Sequence, residues 1–161
     1  MEISKLDDYK LLGEGTFIVV LHATKIPPHI GFTHNGCFFS AKVHSADISI
    51  PIKHILSIIN RKHISTLFIK VPINGLTSHF LEELFSKYSE GLGKEQTCLH
   101  PINQVINSGE NHKTIHELVD YLERNNLLLS VHGVHLPHNY QGIPKYGLKE
   151  IEQRILNLKL C

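Results

Sequence analysis

The sequence predicts an α+β domain with an antiparallel or mixed sheet, an early β-hairpin and several helices packed against it. Three observations carry this expectation. Thr16-Phe17-Ile18-Val19-Val20-Leu21 is an unbroken β-branched and aromatic run, the mark of a buried strand. Asn35-Gly36, set between 30–34 and 37–43, is a strong two-residue hairpin turn, because both central positions need positive φ. Apolar residues at helical spacing then recur through the rest of the chain. Strands gathered early with a hairpin favour this architecture over a doubly wound parallel sheet.

In chain order, residues 4–12 read as a short helix or an irregular lead-in, and Gly13 to Gly15 as a turn. Pro27-Pro28 closes the segment before the hairpin. Pro51 opens a helix marked by Ile52, Ile55, Leu56 and Ile59. Residues 66–71 form a second buried strand closed by Pro72. Phe80, Leu81, Leu84, Phe85 and Tyr88 line one helix face, stopped by Gly91 and Gly93. Thr97 caps a helix to about Asn107, and Thr114 caps another through Leu122. Residues 127–134 read as a late strand, 137–147 as loop, and Leu148, Ile151, Ile155 and Leu158 as a final amphipathic helix. The predicted order is β-β-β-α-β-α-α-α-β-α. A length of 161 residues suits one domain.

Composition narrows the function. The chain is 42% hydrophobic and 19% charged, with formal net charge +1. No basic run tracks a phosphate backbone, so nucleic acid is not expected as a partner. No stretch reaches membrane-spanning length, and Met1 to Tyr9 lack the apolar core of a signal peptide, so no integral membrane segment and a cytoplasmic location are expected. Three cysteines, Cys37, Cys98 and Cys161, fit free thiols better than a disulfide framework. Leu12-Gly13-Glu14-Gly15-Thr16-Phe17 imitates a kinase glycine-rich loop, but Ile18 stands where the third glycine belongs and no downstream kinase motif follows.

Two constellations hold chemistry. A thiol attacks as thiolate, and a helix N-terminus or a nearby imidazolium lowers its pKa. Thr97-Cys98-Leu99-His100-Pro101 puts Cys98 in the first turn of a predicted helix, where Pro101 is tolerated. The matching base is His29, at the hairpin entrance. Counting back from the Asn35-Gly36 turn sets His29 opposite Lys42, with Ser40 and His44 as diagonal neighbours on one face. His44, or alternatively Ser40, would then orient the imidazole. The second constellation is His132, His135 and His138, within a chain of 13 histidines. Their spacing matches no zinc motif, and on a strand His132 and His135 point to opposite faces, so metal binding there is the weaker alternative. That segment also has the Gly and Pro punctuation of a lid. His112 and His116 are expected on a solvated helix face.

Thr16 to Leu21 followed by Pro28-His29-Ile30-Gly31-Phe32 resembles the strand and Ser-His-Val/Ile-Gly passage of circularly permuted papain-like proteins. These are the permuted branch of the NlpC/P60 superfamily, which includes the lecithin:retinol acyltransferase-like proteins. Thr97-Cys98-Leu99-His100 resembles that branch's Asn-Cys-Glu-His passage. The resemblance covers residues 13–107 and leaves 108–161 as a helix-strand-helix extension. Thr97 replaces the family's Asn, and Pro101 stands where an aromatic is usual. The resemblance implies a papain-like fold with Cys98 as nucleophile and His29 as base. It implies a cysteine hydrolase or acyltransferase that acts on an amide or acyl-ester bond through an acyl-thioenzyme. The substrate would be a peptide-like or lipid-like acyl compound, and no cofactor is implied. The alternatives are a non-catalytic binding or interaction module of the same fold, and a metal-binding protein using the C-terminal histidines.

Overall fold

A computed structural model describes residues 1–160. Among these residues the chain forms a mixed sheet of seven strands and five α-helices. The strands are β1 (Ser4–Lys5), β2 (Thr16–Leu21), β3 (His29–His34), β4 (Cys37–Ala41), β5 (Ala46–Pro51), β6 (Thr66–Lys70) and β7 (Ser130–Val134). The helices are α1 (Ile52–Arg61), α2 (Ser78–Ser86), α3 (Leu99–Ile106), α4 (Ile115–Arg124) and α5 (Leu148–Lys159). The sheet order is β1-β7-β6-β2-β3-β4-β5, with β1 parallel to β7 and every other pair antiparallel. No described helix is long and apolar enough to cross a membrane.

The predicted hairpin is β3–β4. His34 pairs with Cys37, and Asn35 (φ 46°) and Gly36 (φ 79°) supply the two positive-φ positions of the turn. Alternation along the strands then divides the core. Ile18, Val20, Ile30, Phe32, Phe39 and Ile69 face α2, α3 and α4. Phe17, Val19, Phe38 and Phe68 face α1 through Ile52, Leu56 and Ile59. Each such side chain, removed from water, contributes about 1.5–3 kcal/mol. Thr114 caps α4 as predicted, accepting from the Glu117 amide, and Thr77 caps α2 through the Phe80 amide.

Several local expectations need correction. Residues 4–12 are neither a helix nor wholly irregular. They hold β1, and a 3₁₀ helix follows at Tyr9–Gly13, capped by Asp8. The sequence reading missed β5, an edge strand whose residues are mostly half-buried. The hairpin's second strand stops at Ala41, and the late strand shrinks to Ser130–Val134. Within the C-terminal segment, β7 is inserted between β6 and β1 of the sheet.

Candidate functional site

At the open end of the hairpin, away from the Asn35-Gly36 turn, lies a cavity of about 610 Å³. Its walls include the end of β2 and the lead-in to β3 as far as Ile30, the turn after β4, Leu92, the start of α3 at Thr97–Leu99, Lys113, Tyr146 and α5. Ile151, Arg154, Ile155 and Leu158 present one face of α5 to it, as their spacing dictates. The His44 ring nitrogen Nε2 lies 3.0 Å from the Leu158 carbonyl and ties this helix to the turn. Tyr146, just before α5, accepts a hydrogen bond from the Ile115 amide at 3.0 Å and adds its ring to the wall. Behind the turn, Gly91 has φ 97°, and a Cβ at this position would collide with the backbone of Val43 and His44. Only glycine fits both that conformation and that approach.

Cys98 and His29 both reach this cavity. Cys98 is the N-cap of α3, one position earlier than a first-turn residue, and its backbone is already helical (φ −60°, ψ −17°). The amides of Ile30, Cys98 itself and Leu99 favour its thiolate, but burial outweighs them and pushes the thiol up to about 11. A helix start alone therefore does not activate this sulfur, and it rests as a protonated thiol at neutral pH. The Thr97 hydroxyl accepts from the Leu99 amide at 3.3 Å, and the Thr97 amide donates to Nδ1 of His100 at 3.1 Å.

His29 pairs with Leu21 across β2 and β3. Its Nε2 is buried with no hydrogen-bond partner. Burial lowers its pKa to about 4. Asp47 opposes that shift, and Lys42, His22 and Arg154 reinforce it. The ring is neutral at physiological pH. Strand alternation separates it from the sulfur: Ile30 packs in the cluster that Cys98 borders, whereas Leu21 packs against the opposite cluster. The two residues line one cavity without sharing a hydrogen bond.

Neither residue expected to orient His29 does so. His44 turns to the Leu158 carbonyl. Ser40 donates to Asp47 Oδ2 at 2.7 Å, and Lys42 Nζ lies 2.8 Å from Asp47 Oδ1. The acidic residue closest in influence to His29 is thus Asp47, which the sequence reading overlooked. Its signal was the alternation in Asp47-Ile48-Ser49-Ile50, which forms β5 and pairs Asp47 with Ser40.

Several other histidines make hydrogen bonds away from the cavity. His132 reaches Ser4 Oγ (2.9 Å) and Ser130 Oγ (3.0 Å), and His135 reaches Asn60 Oδ1 (2.9 Å). Among the described residues no three His, Cys, Asp or Glu side chains converge as a metal site would need, so His132, His135 and His138 do not form one. Residues 132–138 contribute nothing to the cavity wall, which Tyr146 and α5 close instead. His112 is not on a solvated face: it precedes α4, is buried, and lies 3.2 Å from Ser108 Oγ. His116 is half-buried, its Nε2 3.0 Å from the Pro144 carbonyl. No protein-family model, curated protein or solved structure matches this chain.

Proposed function

We propose that the protein works through this cavity as a binding module for a small organic molecule, with Cys98 as a neutral group in its wall. The observation that carries the reading is a cavity of ligand size, lined by segments far apart in the chain, with the uncharged Cys98 thiol and the neutral His29 side chain in its wall. The apolar body of a bound molecule would lie against Ile30, Leu92 and the α5 face. A neutral apolar dye such as Nile red should bind one to one and fluoresce. Ile155→Trp, which fills the cavity, should abolish the signal, and Leu129→Trp on the exposed surface should leave it intact. Equal signals from the two variants, or no binding to the parent protein, would reject this reading.

A second reading is the cysteine hydrolase or acyltransferase that the papain-like resemblance implies. One observation favours it: Cys98 stands at a helix start with the amides of Ile30 and Leu99 beside its sulfur, an arrangement suited to an oxyanion. On this reading the Cys98 sulfur attacks the acyl carbon, His29 takes the thiol proton and returns it to the departing amine or alcohol, and water or an acceptor alcohol or amine then takes the acyl group from sulfur. Substrate entry would first have to relieve the burial that keeps the thiol protonated. Rapid alkylation of Cys98 at pH 7, with loss on His29→Gln, would favour this reading over the first.

A further inference from the structure

The cavity wall is chemically one-sided. It carries Lys25, Lys42, Lys113 and Arg154, and no aspartate or glutamate. Lys42 is neutralised from outside by Asp47 at 2.8 Å. Among the described residues, Lys25, Lys113 and Arg154 have no carboxylate within ion-pair distance. Their charge is felt inside. Lys25 and Arg154 both depress the pKa of His22, Arg154 and Lys42 that of His29, and Lys113 that of His100. Lys25, Arg154 and His22 all line the cavity. The rest of the wall is mainly apolar: Pro27, Pro28, Ile30, Leu92, Ile151 and Leu158.

We infer that the cavity takes an amphipathic anion, a carboxylate or phosphate monoester carried on a hydrocarbon body. Arg154 and Lys25 hold the head, and the apolar wall between Leu92 and α5 holds the chain. This rests on the binding reading above and names its ligand class. Arg154 presents a fork that matches a carboxylate or phosphate edge. Unpaired cations around an apolar space disfavour a cationic ligand by direct repulsion and leave a neutral one without a head contact. His29 then serves as a neutral donor or acceptor, not as a charge.

The test is calorimetric titration of the full chain at pH 7.4 and low salt with decanoate, decyl phosphate, decanol and decyltrimethylammonium, all below their aggregation limits. Both anions should bind one to one, about tenfold or more tighter than decanol, the scale of one charge-assisted contact. The cation should bind weaker than decanol. The ratio of the two anions tells which head the site prefers. Arg154→Gln with Lys25→Gln should weaken both anions about tenfold and leave decanol unchanged. Both side chains are exposed, so folding is preserved. Lys53→Gln on the outer face of α1 should change nothing. Equal binding of decanol and decanoate, an unaffected double variant, or an equal loss in Lys53→Gln would overturn the charge inference while leaving the cavity reading in place. Failure of all four ligands would overturn both.

Discussion

The two ends of β3 are built differently, although each carries a histidine. At the turn end, His34 has its needs met: Nδ1 lies 2.9 Å from Thr16 Oγ1 and Nε2 lies 3.2 Å from Asn35 Nδ2. At the open end, His29 keeps Nε2 buried and unpartnered. A buried polar atom without a partner costs about 1–3 kcal/mol, and β3 carries two, His29 Nε2 at the open end and Thr33 Oγ1 beside His34, so the contrast lies between the two histidines. Natural folds tolerate that cost where a site requires it. The difference teaches that in this chain a histidine's role follows from what surrounds it. Histidine abundance alone says little.

The largest effect should come from glycine replacements at the two ends. Gly91→Ala behind the open end combines positive-φ strain of ~1–2 kcal/mol with overpacking of ~1–3 kcal/mol against Val43, so a loss of about 3 kcal/mol is expected in chemical denaturation. Gly36→Ala at the turn meets nothing closer than Gly13 Cα at 3.6 Å, so only the strain of about 1 kcal/mol should appear. A larger loss in Gly36→Ala than in Gly91→Ala would break the contrast.

The histidines themselves provide the next comparison. Thr16→Val leaves His34 Nδ1 unpaired and should cost about 1–3 kcal/mol in urea denaturation. His29→Leu removes an unpaired nitrogen and should be neutral or stabilising by up to about 1 kcal/mol. Comparable losses in both variants would show that His29 has a partner of its own.

The pH dependence follows from the same asymmetry. The folded His29 pKa of about 4 lies below its ordinary value of 6.5, so the unfolded chain binds the extra proton first. Stability from this group is present above pH 6.5 and is lost as pH falls toward 4. Cys98 acts in the alkaline range. Its thiol is raised from 9.0 to about 11, so its contribution is present below pH 9.0 and is lost as pH rises toward 11. His29→Leu should flatten the acid limb of a stability–pH curve, and Cys98→Ala the alkaline limb. An unchanged curve in either variant would remove that group from the account.

Much of the fold was legible because its signals are local. Asn35-Gly36 sets the hairpin, and Thr16 to Leu21 is a run that only a buried strand accommodates. The apolar spacing of α1, α4 and α5 held, as did the Thr114 cap. β1 and β5 escaped notice because two residues give no period and an edge strand is patterned weakly. The counted register holds from His34–Cys37 to Phe32–Phe39, where the β3–β4 ladder ends, and the residue that binds both Ser40 and Lys42, Asp47, comes from the unrecognised β5. Cys98 and His29 line the same cavity, but no hydrogen bond joins them. Their protonation was not legible. It depends on burial, which no local pattern in the sequence reveals.

The central claim is that the open end of β3 is a ligand cavity whose thiol rests protonated. The most direct measurement is the pH dependence of iodoacetamide alkylation at Cys98, in a Cys37→Ser, Cys161→Ser background. The account predicts slow reaction at pH 7 and a rate that climbs through pH 9 toward a midpoint near 11. A rate already at its plateau by pH 7 would contradict it and return Cys98 to the role of a prepared nucleophile.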